Sequence, residues 1–79
     1  MKFTPALIEE LEILSHYNLS TTLKGVKVHK TADPAIIAAT ERLYKKGLIT
    51  LIDGGYLTPL GLEAATHAQD MLTIMTSAI

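Results

Sequence analysis

Apolar residues recur along this chain at two spacings, and three Thr-Pro or Asp-Pro pairs cut it into segments. After Thr4-Pro5, Leu7, Leu11 and Leu14 return at helical spacing with Ile8 alongside, while Glu9, Glu10 and Glu12 fall largely off that stripe. Thr can cap free N–H groups, and Pro at the first helical position loses nothing because its N–H would be unpaired there. Phe3 and Ile8 stand at the two staple positions. The pattern predicts a first helix to about Tyr17, with a solvated glutamate face and Asn18 as a left-handed terminator. Ser20 is the next candidate cap, but Gly25, Val26 and Val28 allow only a short helical piece over 21–24. Val26 to Lys30 alternates apolar with polar, as extended chain does.

Asp33-Pro34 opens a longer helix through Lys46, with Gly47 as its C′ residue and Leu48 meeting Leu43 in a Schellman ending. At about 100° per residue, Ile36, Ile37, Thr40, Leu43 and Tyr44 share one side. Ala35, Ala38, Arg42, Lys45 and Lys46 share the other, so the cations are expected on the face that does not pack. Leu48 to Ile52 is a short β-branched run, Asp53-Gly54-Gly55 supplies a tight reversal, and Tyr56 to Thr58 resumes strand character. That is a β-hairpin. Thr58-Pro59 then starts a last helix over about 59–78, with Leu60, Ala64, Ala68, Met71 and Met75 on one stripe and Ala65, Leu72 and Ile79 on a second. Its final two turns are apolar on more than one side and need a cover.

Composition sharpens this picture. The chain has 79 residues, 48% of them apolar, with no Cys and a mean hydropathy of +0.28. A single domain of this size buries only about 60% of its unfolded surface, so the excess of apolar residues predicts a homodimer. Met71, Leu72, Ile74, Met75 and Ile79 can be core, dimer seam or tail; part is expected to serve the core, and the excess is the expected seam, in the isologous arrangement of small regulators. Without Cys there is neither disulfide nor thiolate metal site, and a reducing cytoplasm is the simplest compartment. The early glutamates break up any signal-peptide core, and the apolar end is far short of the ~20 residues that span a bilayer.

The formal net charge of −1 conceals a polarised chain. Residues 21–50 hold Lys24, Lys27, Lys30, Arg42, Lys45 and Lys46 against Asp33 and Glu41, whereas both flanking segments are acidic. His16, His29 and His67 lie on three different elements without the i, i+4 spacing of a helical metal site. His16 suits a helix C-terminus, His67 an interface or surface, and His29, among Lys27 and Lys30, a phosphate or partner contact. Ser15 and His16 are adjacent on a helix and point about 100° apart, which excludes a triad. Gly54-Gly55 lies at a hairpin tip and lacks the phosphate-loop pattern. Catalysis is therefore not expected, nor is any cofactor or metal.

Two motifs carry a resemblance. Leu43 to Ile49, reading LYKKGLI, is similar to the end of the recognition helix and start of the wing in MarR-like and PadR-like regulators. Tyr56 to Gly61, reading YLTPLG, is similar to the return strand and its exit into the dimerising helix. The chain thus resembles a winged helix-turn-helix domain, mainly α with a small β-hairpin, from roughly Asp33 onward. Over its whole length it also resembles a family of short bacterial proteins of unassigned function. The winged-helix resemblance implies a transcription-regulator-like protein on double-stranded DNA. Lys30, Thr31, Ala35, Ala38 and Arg42 would face the groove, with Lys24, Lys27, Lys45 and Lys46 on phosphates and His29 as a further contact. The sequence departs from that pattern in placing alanines where base readout wants Arg, Lys, Asn or Gln, and Asp53 at the wing tip. A protein partner docking on the Ala35/Ala38 surface is the competing expectation.

Overall fold

The computed structural model describes residues 2–20 and 24–77. Its elements run α1 (Pro5–Ser15), β1 (Val26–Lys27), α2 (Pro34–Lys45), β2 (Ile49–Leu51), β3 (Gly54–Leu57) and α3 (Pro59–Thr76). The fold is mainly helical with a small three-stranded antiparallel sheet of order β1-β3-β2, and it is compatible with a winged helix. Most of the short helix expected at 21–24 lies outside the described residues; Lys24 itself is in neither helix nor strand.

Each helix starts where a cap and a proline coincide. The Thr4 hydroxyl accepts from the Leu7 N–H at 3.1 Å, the Asp33 carboxylate from Ala35 at 2.8 Å and the Thr58 hydroxyl from Gly61 at 3.0 Å. Helix α2 ends as its glycine demands. Gly47 sits at φ +77, its N–H donates to the Tyr44 carbonyl, and the Leu48 N–H donates to the Leu43 carbonyl. Helix α1 ends differently from expectation. No non-glycine residue among those described has positive φ, and Asn18 instead accepts from the Ser20 N–H and hydroxyl. His16 is the C-cap, in ordinary right-handed geometry.

The core is Ile13, Leu14 and Tyr17 of α1 and its exit, Ala39 and Leu43 of α2, Ile49 of β2, and Ala65 of α3. Of the expected α1 stripe, Leu14 is buried, Leu7 and Leu11 are only partly buried, and Ile8 is exposed. The buried face of α3 is small-sided: Gly61, Ala65 and Ala68. A Cβ on Gly61 would overlap the Leu48 carbonyl oxygen, so α3 lies directly on the chain leaving α2. Gln69 on the same helix donates its amide to the carbonyls of Leu14 and Tyr17, at 3.2 and 2.7 Å, satisfying the Tyr17 acceptor and adding to the Tyr17 N–H that reaches the Leu14 carbonyl at 3.4 Å.

The hairpin is pinned at both ends. Its turn residues are Ile52 and Asp53, and Gly54 at φ +132 packs so closely against β1 that a Cβ would overlap the Val26 carbonyl oxygen. At the exit, the Thr58 hydroxyl donates to the Gly47 carbonyl at 2.6 Å while it caps α3, and the Thr58 N–H donates to the Leu48 carbonyl. One residue therefore ties the end of α2, the hairpin and the start of α3 together. Among the described residues no helix is long and apolar enough to cross a membrane.

Candidate nucleic-acid interface

The six central cations separate into distinct places. Arg42 and Lys46, a turn apart at the end of α2, both turn to Glu10 of α1. The Arg42 Nε donates to one carboxylate oxygen at 2.9 Å, the Lys46 ammonium pairs with the other, and Arg42 also donates to the Ala6 carbonyl. Glu10 is only 4% exposed, contrary to the expected solvated glutamate face. The two cations accordingly lie at the α1–α2 seam and not on an unpacked surface. Burial would raise the Glu10 carboxyl, but the hydrogen bonds and charges of Lys46 and Arg42 outweigh it and hold the group below its ordinary 4.5.

Lys27, His29, Lys30 and Thr31 come together elsewhere. With Val28 they form one bank of a groove of about 790 Å³, whose other walls are Ile37, Thr40 and Glu41 of α2 and Leu51, Ile52 and Asp53 of the hairpin. Thr40 contributes no free hydroxyl, because its Oγ1 donates to the Ile36 carbonyl at 2.7 Å. Lys45 is exposed one turn beyond Glu41, so α2 continues this wall with a positive charge. Ala35 and Ala38 lie on the outer side of α2, both exposed, and their side chains carry no hydrogen-bonding group. Lys24 lines a separate groove with Tyr17, Asn18, Leu57, Thr58, Pro59 and Leu62.

The groove is thus basic along one bank, acidic at Glu41 and Asp53, and apolar at the hairpin, where Leu51 and Ile52 are 55% and 54% exposed. Both ion pairs among the described residues end on Glu10, which leaves Lys27, Lys30 and Lys45 without a described carboxylate within ion-pair distance. No group of three metal-ligating side chains forms among the described residues. The buried role of Glu10 was not expected from the sequence. The usable signal was its register, since Glu10, Ile13, Leu14 and Tyr17 follow the i, i+3, i+4, i+7 spacing of one helix face.

Of the expected seam, Met71, Leu72, Ile74 and Met75 are all exposed at the end of α3, and Ile79 lies outside the described residues. Among known proteins, the model of a family of unknown function (DUF5669) matches residues 1–76. No curated protein and no solved structure matches the chain.

Proposed function

The chain belongs to that family of unknown function, and we propose, from its own geometry, that it binds the phosphate backbone of double-stranded DNA weakly and without reading sequence. The carrying observation is the placement of Lys27, His29 and Lys30 along one bank of the groove between α2 and the hairpin, with Lys45 exposed one helical turn beyond the groove residue Glu41 and no ion pair among the described residues holding the three lysines. Lysines so arranged are point charges for phosphates. The alanines at 35 and 38 offer nothing to base edges, which is why the reading stops at the backbone. Glu41 and Asp53 in the same groove oppose the phosphates and keep affinity low. In this reading the protein is a small transcription-regulator-like winged helix, and the caged Arg42 and Lys46 are structural.

The test is fluorescence anisotropy with a labelled duplex at low salt. The variant Lys27→Glu/Lys30→Glu/Lys45→Glu should lose binding while keeping its circular dichroism, and Lys24→Ala should leave binding unchanged. Equal affinity of parent and triple variant would overturn the reading. A second reading, a protein-interaction module, is favoured by the exposed Leu51 and Ile52 beside the same groove. Leu51→Ser/Ile52→Ser leaves DNA affinity unchanged under the first reading, and the same substitutions abolish partner binding under the second.

A further inference from the structure

Helix α3 outlasts the core it packs on. It is 18 residues long, about 27 Å at helical rise, yet its last buried residue is Ala68 and every residue over 71–77 is exposed. That overhang carries Met71 and Leu72, each 42% exposed, and Ile74 and Met75, each 74% exposed. Beside it, Phe3, Ile8 and Leu11 of the α1 region and Met71 and Leu72 of α3 line an apolar groove of about 360 Å³. The molecule therefore presents a protruding apolar ridge and an apolar groove on adjoining surfaces.

We infer that the occupant of this groove is a second copy of the same chain, whose Ile74 and Met75 seat between Phe3, Ile8 and Leu11 while its own groove receives the same ridge in return. Two observations select this partner. Residues 71–77 contain no charged side chain, so two such ends meet without burying a charge. The large hydrophobics of ridge and groove, Phe3, Ile8, Met71, Leu72, Ile74 and Met75, are 42–74% exposed, together on the order of 600 Å² of residue surface, the upper end of what a monomer exposes in one patch and one partner's share of the smallest standard interfaces. Because ridge and groove sit on one surface, a two-fold axis satisfies both at once and closes the assembly. The inference does not depend on nucleic-acid binding.

Sedimentation equilibrium at 100 µM and pH 7 tests it. The parent should run at about 17 kDa, twice its 8.6 kDa chain mass, and Ile74→Glu/Met75→Glu and Ile8→Glu should each run as folded monomers by mass and circular dichroism. The chain has no cysteine, so introduced thiols report geometry directly. Mixed Ile8→Cys and Met75→Cys chains should form an intermolecular disulfide under mild oxidation. A parent of 8.6 kDa, a larger open oligomer, or a dimer in which 8 and 75 never cross-link would overturn the inference.

Discussion

Replacing Glu10 by Gln isolates the buried charge at the α1–α2 seam. The shape of the side chain is kept and one acceptor oxygen survives, but the negative charge between Arg42 and Lys46 is lost. The Glu10 side chain is 5% exposed, whereas those of Arg42 and Lys46 are 36% and 50% exposed, so both cations recover water when the pair is broken. The loss should therefore fall below the roughly 3–5 kcal/mol of a fully buried pair, at about 2 kcal/mol. For a domain of this size that corresponds to a fall in Tm of roughly 8–16 °C. The pH dependence separates charge from packing. Because the folded Glu10 titrates below its ordinary 4.5, its contribution is full above that value and is lost as pH falls through the lowered one. Thermal melts of parent and Glu10→Gln should differ at pH 7 and converge toward pH 2. Equal Tm values at pH 7, or a gap that persists undiminished in acid, would refute the assignment.

The same contacts set three further outcomes. Gly61→Ala should lower stability by about 1–3 kcal/mol in urea titration, since its Cβ would overlap the Leu48 carbonyl oxygen. Gln69→Ala should cost about 1–2 kcal/mol by leaving the Tyr17 carbonyl without its side-chain donor and the Leu14 carbonyl with the Tyr17 N–H, and hydrogen exchange should show the end of α1 opening more readily. Arg42→Ala should lower Tm yet leave the salt dependence of DNA binding unaltered, whereas Lys45→Ala should leave Tm unaltered and reduce the salt slope by about one.

Local chemistry was legible in the sequence and distant pairing was not. Thr4-Pro5, Asp33-Pro34 and Thr58-Pro59 act within one helical turn, and the structure starts a helix at each. Gly47 with Leu48 is likewise a short-range signal and ended α2 as expected; the hairpin formed where expected, but its turn is Ile52-Asp53, and the positive-φ Gly54 and Gly55 lie within β3. The main departures involve partners far apart in the chain. Glu10 reads as one of three solvated glutamates until α2 brings Arg42 and Lys46, over thirty residues away, against it. Gln69 carries no sequence signal of its own, and its bonds to the Leu14 and Tyr17 carbonyls exist only because α3 lies across the end of α1. The charge segregation seen along the chain was real, but helix packing divided it: two cations serve the α1–α2 seam, Lys27 and Lys30 line the groove, and Lys45 is exposed one turn beyond Glu41.

The salt dependence of duplex DNA binding tests the central claim most directly. With Lys27, Lys30 and Lys45 as the contacting charges, the observed association constant should fall with salt at a log–log slope of about −3 per protomer, equally for unrelated duplex sequences. Absence of binding at 50 mM salt, or a slope near zero, would contradict a phosphate-binding groove.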